Sequence, residues 1–185
     1  MDAAPLFVYT DGACAGNPGP GGWAWAVENG PSGYGSEQPS TNQRMEVQAV
    51  RDALETFLVR TDGPIVIVSD STYVVNCFRD RWWEGWERRG WKNSQKQPVA
   101  NQDLWKPLVA LVRAHGDQVS FRWIKGHSGH PMNDRVDGLA VVACREQAPR
   151  TVMGLEATSA VAGPEPVMID KADQTRAPQA TSLFD

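Results

Sequence analysis

A chain of 185 residues with 41% apolar content can bury one core and is too short for two ordinary domains. Its formal charge of -4 argues only weakly against a polyanionic partner, and three cysteines scattered at Cys14, Cys77 and Cys144, with no CxxC pair, suggest neither a zinc knuckle nor a disulfide framework. A reducing, cytoplasmic setting is expected, with no membrane association, since no stretch approaches the roughly 20 apolar residues of a membrane-spanning helix.

The first element is a strand in which Leu6, Val8 and Thr10 point one way and Phe7, Tyr9 and Asp11 the other. A glycine-proline turn follows, and "GGWAWAVENG" completes a hairpin, with "GYGSEQ" at 33 to 38 as a short third antiparallel strand. In "TNQRMEVQAVRDALETFL" the period changes: Val50, Ala53, Leu54, Phe57 and Leu58 form a helical stripe, and Thr41 or Asn42 is available as N-cap. Glu46 lies on that stripe, four residues before Val50, so it is aimed toward the sheet.

"PIVIVSDS" is the near-continuous apolar run of a strand covered on both faces, ending in Asp70 just before the helix-like "TYVVNCFRDRW". A helix from about Gln102 to His115, bent at Pro107, comes next. "QVSFRWI" is the last strand, and the glycine-rich "KGHSGHPM" leads into a helix carrying Asp137 near its start. The order βββ, α, β, α, α, β, α describes an α/β protein, a mixed sheet with helices packed on it.

Residues 79 to 96, "RDRWWEGWERRGWKNSQK", hold six Lys or Arg against three acids, with four of the eight tryptophans. Cations interleaved with flat rings suit phosphate contact combined with packing on sugars or bases. An amphipathic helix with core tryptophans and solvated charges fits the same pattern.

Taken singly, Asp11, Glu46, Asp70 and Asp137 would read as caps or surface charges. Jointly they point elsewhere. Sites in open α/β sheets form outside the carboxyl ends of parallel strands, where Asp70 must lie, and a parallel first strand would bring Asp11 beside it. Two carboxylates about 4 Å apart repel by roughly 4 kcal/mol at an effective dielectric near 20, so the group calls for a cation. An all-oxygen site selects a hard ion, Mg²⁺ before Ca²⁺ or Zn²⁺.

The blocks "YTDGACAGNPGPGGWA", "TNQRMEVQAV", "VSDSTYV", "WWEGWERRGWK", "NQDLWKPL" and "KGHSGHPMNDRVDGLA", in this order through about residues 6 to 146, resemble bacterial ribonuclease HI. The resemblance implies a ribonuclease H-like fold with a five-stranded mixed sheet. It further implies an endonuclease that hydrolyses the RNA strand of RNA/DNA hybrids with two Mg²⁺ ions, Mn²⁺ being a substitute, to leave 5′-phosphate and 3′-hydroxyl ends. The matching carboxylates, both metal ligands and catalytic residues, are Asp11, Glu46, Asp70 and Asp137, with Asp134 nearby but off register. His127, in the glycine-flanked loop, matches a residue that assists proton transfer or product release.

Carried over in the same way, Cys14, through its backbone, Asn17 and Asn42 face the hybrid, and Thr41 and Asn101 hold a phosphate of the DNA strand. Trp82, Arg88, Arg89, Trp91 and Lys92 fall in the basic protrusion that binds that strand. Glu84 and Glu87 depart from lysine-rich versions of that element and imply a weaker or less salt-dependent hold on the hybrid. Thr72 stands where a glutamine often makes a minor-groove contact. A different nuclease of the same fold should lack the protrusion and the "GHSGHP" loop, and a non-catalytic hybrid-binding module would have no reason to keep all four acids.

From about Ala148 the composition shifts to Ala, Pro, Thr, Ser and Gly, so residues 1 to 147 are expected to form the catalytic domain and 148 to 185 a disordered tail. Leu183 and Phe184 in "QATSLFD" resemble the core of a sliding-clamp-binding peptide, and the enzyme is expected to act as a monomer.

Overall fold

The computed structural model describes residues 3–157. Strands β1 (Leu6–Cys14), β2 (Gly19–Ala26) and β3 (Ser32–Ser40) form an antiparallel meander, and α1 (Asn42–Phe57) leads to β4 (Ile65–Ser69). Helices α2 (Thr72–Arg79), α3 (Trp82–Arg88) and α4 (Gln102–Ala114) precede β5 (Val119–Trp123), and α5 (Pro131–Glu146) leads to β6 (Thr151–Met153) and a 3-10 turn at Leu155–Ala157. The sheet order is β5-β4-β1-β2-β3-β6, with β4 parallel to both β1 and β5. This is the expected ribonuclease H-like α/β architecture with two differences. The sheet has six strands, not five, and the tryptophan-rich segment contributes a short helix of its own.

Alternation in β1 builds two cores. Val8 joins Trp25, Val50, Leu54, Phe57 and Ile67 beneath α1 and α4, whereas Phe7 and Tyr9 join Val68, Met132 and Val136 beneath α5. Thr41 caps α1 by accepting from Arg44 N at 3.2 Å. Pro107 falls inside α4.

The sixth strand comes from sequence that composition assigned to a tail. Thr151, Val152 and Met153 pair antiparallel with Tyr34, Gly33 and Ser32. Such a short strand is held from the side: Arg150 Nε donates to Asp52 Oδ1 at 2.6 Å, and Asp52 Oδ2 accepts from the fully buried Trp25 Nε1 at 2.8 Å. Asp52→Ala would leave that indole N–H without an acceptor, at a cost of about 1 to 3 kcal/mol. We expect a melting temperature about 5 °C lower, with Asp52→Asn intermediate because its amide oxygen can still accept from Trp25. Thermal denaturation of the two variants checks this. Leu183 and Phe184 lie outside the described residues.

Candidate active site

Parallel pairing fixes the centre of the site. The last β1–β4 pair is Tyr9 with Val68, so Asp11, still within β1, and Asp70, just past the end of β4, both stand two residues beyond the parallel pairing. Asp11 is only 8% exposed and takes the Gly12 N–H on Oδ1 at 2.7 Å. Gly12 also lets α1 close on the strand, since a Cβ there would stand 2.4 Å from the Glu46 backbone nitrogen. Hence the first turns of α1 bring Glu46 to the end of β1.

Both oxygens of Glu46 are held. Asn42 Nδ2 donates to Oε1 at 2.8 Å and Ser71 Oγ donates to Oε2 at 2.6 Å. Ser71 Oγ also accepts from Val74 N at 3.3 Å, so one hydroxyl caps α2 and fixes a carboxylate of α1. On the other face, the buried Asn133 donates from Nδ2 to Asp70 Oδ2 at 3.2 Å. Gly126 backs the same oxygen, where an added Cβ would come within 2.5 Å. Asp137 is half-buried in the second turn of α5, while Asp134 is exposed.

The charges feel one another. Burial pushes the Asp11 carboxyl up to about 8, with Asp70 and then Asp137 and Glu46 adding to the rise against the Gly12 N–H. Burial, and after it the Asp70 charge, push Glu46 up to about 7 although Ser71 and Asn42 oppose the shift. At neutral pH the group is therefore short of positive charge.

The donors are all carboxylate oxygens, which suits a hard divalent cation. Among the described residues no three or more His, Cys, Asp or Glu side chains are grouped so that they could hold a metal ion. A Mg²⁺ ion held by one or two of these carboxylates would take water and substrate oxygens for the rest of its shell.

Other residues singled out in the sequence fall in two places. Around the carboxylates, Asn17 Oδ1 accepts from Asn42 N at 3.4 Å, Cys14 Sγ lies 3.5 Å from Ser40 O, and Thr41 caps α1. Thr72 is exposed at the start of α2, and His127 is exposed with a positive φ of 52° in the loop whose Gly126 backs Asp70. Asn101 stands at the head of α4 and, with Trp105, bonds the Tyr73 hydroxyl.

The second place is α3 and the turn after it. Trp86 is buried and Trp82 and Trp91 pack against the core, while Arg88, Arg89 and Lys92 are exposed. Core tryptophans and outward cations thus coexist in one element. The two acids there are paired: Glu84 with Arg81 at 3.0 Å and Glu87 with Arg113 at 2.6 Å.

Sequence reasoning passed over Ser71, Asn133 and Gly126. Ser71 reads as an ordinary N-cap, which it also is, and the contacts of Asn133 and Gly126 with Asp70 span more than 50 residues.

The family described as RNase H matches residues 3–145. A ribonuclease H of Nitratidesulfovibrio vulgaris (strain DP4) is 49% identical over 153 residues, which cover 81% of this chain and 93% of that one. A ribonuclease HI of Neisseria meningitidis serogroup B is 48% identical over 138 residues, covering 73% and 92%. Among solved structures, LC9-RNase H1, a type 1 RNase H with the type 2 active-site motif, superposes with a TM-score of 0.69 at 30% identity, covering 87% of this chain and 83% of that one. The foamy viral protease-reverse transcriptase in complex with dsDNA shares the fold, with a TM-score of 0.64 at 19% identity, over 79% of this chain and 96% of that one. No helix among the described residues is long and apolar enough to cross a membrane.

Proposed function

The chain belongs to the RNase H family, and from that premise we propose that it is an endonuclease cutting the RNA strand of RNA/DNA hybrids by a two-metal-ion route, leaving 5′-phosphate and 3′-hydroxyl ends. The supporting observation is the meeting of Asp11, Glu46 and Asp70 where the parallel pairing of β1 and β4 ends, with Asp137 close enough to raise the Asp11 pKa.

Asp11, Glu46, Asp70 and Asp137 are the residues that would hold divalent cations, Mg²⁺ with Mn²⁺ as a substitute. Bound there, these ions supply an activated water and neutralise charge on the leaving 3′ oxygen. The chain's own part is to keep the carboxylates in place before substrate arrives. Asn42 and Ser71 hold Glu46, and Asn133 holds one oxygen of Asp70, for which the missing side chain of Gly126 leaves room. To His127, exposed in the loop whose Gly126 backs Asp70, we assign proton transfer or help with product release.

RNA differs from DNA by its 2′-OH, which is read in the wide minor groove of an A-like duplex. Asn42, bonded to Glu46, together with Asn17, which accepts from the Asn42 N–H, and the Cys14 backbone are the groups we assign to that reading. Thr41 and Asn101 are assigned to a phosphate of the DNA strand. Arg88, Arg89 and Lys92, with Trp82 and Trp91 behind them, are assigned to the rest of its backbone. Pairing of Glu84 and Glu87 within the protein leaves these three cations to face the hybrid.

Cleavage of a labelled hybrid in Mg²⁺, beside single-stranded RNA, duplex RNA and duplex DNA, tests the assignment. The expected result is cutting of the hybrid's RNA strand alone. Indifference to the DNA strand overturns it. Reversing charge at Arg88, Arg89 and Lys92 together should raise KM about tenfold or more at low salt and flatten its salt dependence, with kcat little changed. Steady-state kinetics at two salt concentrations measure this. We also take the enzyme to act as a monomer and Leu183 and Phe184 to contact a sliding clamp, which titration of a peptide of residues 176 to 185 would test.

A further inference from the structure

Trp123 has no part in the sites described so far, and its surroundings are unusual for a tryptophan. It closes β5 in register with Ser69, the residue before Asp70. Its indole Nε1 donates to the Asp70 carbonyl oxygen at 3.0 Å, and Ile124 N follows with a bond to Ser69 O at 3.1 Å. The N–H is therefore satisfied and the ring is pinned to the rim of the carboxylate cluster. Yet the residue remains 45% exposed.

Two residues earlier, Phe121 stacks on Phe78 of α2 with ring centroids 4.2 Å apart, so the same side of β5 is covered until it reaches Trp123. At that level α2 is only beginning, with Thr72 itself exposed. The result is a fixed, open aromatic face one strand spacing, about 5 Å, from the end of β4. A substrate with its phosphate at Asp11 and Asp70 lies one strand away from this ring, since β5 is the neighbour of β4.

We infer that Trp123 is a substrate-contact residue whose exposed indole face packs against the sugar of a nucleotide next to the scissile phosphate. The inference rests on the proposed hybrid cleavage. In a duplex the bases are stacked on one another, so the ring meets the apolar face of a ribose, and its effect falls below that of stacking on an open base. A flat ring is what the contact requires; the indole N–H is already committed to Asp70.

That division makes the test specific. Trp123→Ala removes ring and N–H together, whereas Trp123→Phe removes the N–H and keeps an aromatic face. In steady-state cleavage of a hybrid, Trp123→Ala should raise KM about fivefold with kcat within about twofold of the parent, and Trp123→Phe should restore KM to within about twofold. Should Trp123→Ala lose its fold, Trp123→Leu, apolar and bulky but not flat, takes its place with the same expected rise.

Equal impairment of the Phe and Ala variants, with kcat falling in both, would assign Trp123 to the positioning of Asp70 and overturn the contact. An unchanged KM in Trp123→Ala also overturns it. If the parent protein cuts no hybrid, the function proposed above fails first and the contact with it, a result distinct from either variant outcome.

Discussion

Asp11→Asn is expected to lower kcat on a hybrid by at least about a thousandfold and, in the absence of metal, to raise the melting temperature by several degrees. The two effects have one origin. Asp11 is buried among like charges, and its carboxyl is pushed from 3.8 up to about 8 in the folded chain. Between these values the folded protein holds a proton that the unfolded chain has released, so this group's contribution to stability falls as pH rises. The deficit is absent below about pH 4 and complete above about pH 8. Asparagine keeps the volume and loses the charge. Its advantage should therefore grow across that window and level off beyond it. Melting curves from pH 5 to 9 in a chelator, for parent and variant, measure the slope. Adding Mg²⁺ should stabilise the parent and leave the variant nearly unmoved. Full activity of Asp11→Asn would remove Asp11 from the catalytic group.

Gly12→Ala should damage fold and site together. The added carbon would lie 2.4 Å from the Glu46 nitrogen and 2.6 Å from the Met45 carbonyl carbon, both backbone atoms that no rotamer change can move aside. Strand and helix must separate instead. Overpacking costs about 1 to 3 kcal/mol where side chains can yield, and we expect the upper end or more, a fall of about 10 °C in melting temperature. Because the same joint sets Asp11 against Glu46, cleavage should fall by more than a hundredfold even where the variant is folded. Circular dichroism alongside the cleavage assay separates the two losses. A variant with parental melting and activity would show that the close approach is dispensable.

Much of this arrangement could be read from the residues. Phe7, Tyr9 and Asp11 alternate with Val8 and Thr10 because β1 is covered on both faces, and that alternation already places Asp11 on one of them. "PIVIV" announces a central parallel strand, and topology alone puts Asp70 at the end of the sheet where sites form in such folds. β6 could not be read: three residues in an Ala-Pro-rich stretch carry no period, and what makes them a strand is the open edge of β3 together with Asp52, almost 100 residues earlier. The tryptophan-rich segment was ambiguous for a physical reason. Trp82, Trp83 and Trp86 fit one face of a helix, and that face does reach the core while its cations stay outside. The partners of the carboxylates, Ser71 and Asn133, are polar residues at helix starts, where capping is the commoner use.

The clasp of Arg150 on Asp52 bears on where the chain can be joined to something else. Ending the protein at Gln147, where the last long helix stops, would strip β6 from the sheet and bare the backbone of Ser32, Gly33 and Tyr34, turning a closed border into a template for a second copy. A fusion partner or affinity tag belongs after Ala157. There it hangs from the β6 side of the sheet, four strands away from β4 and its carboxylate.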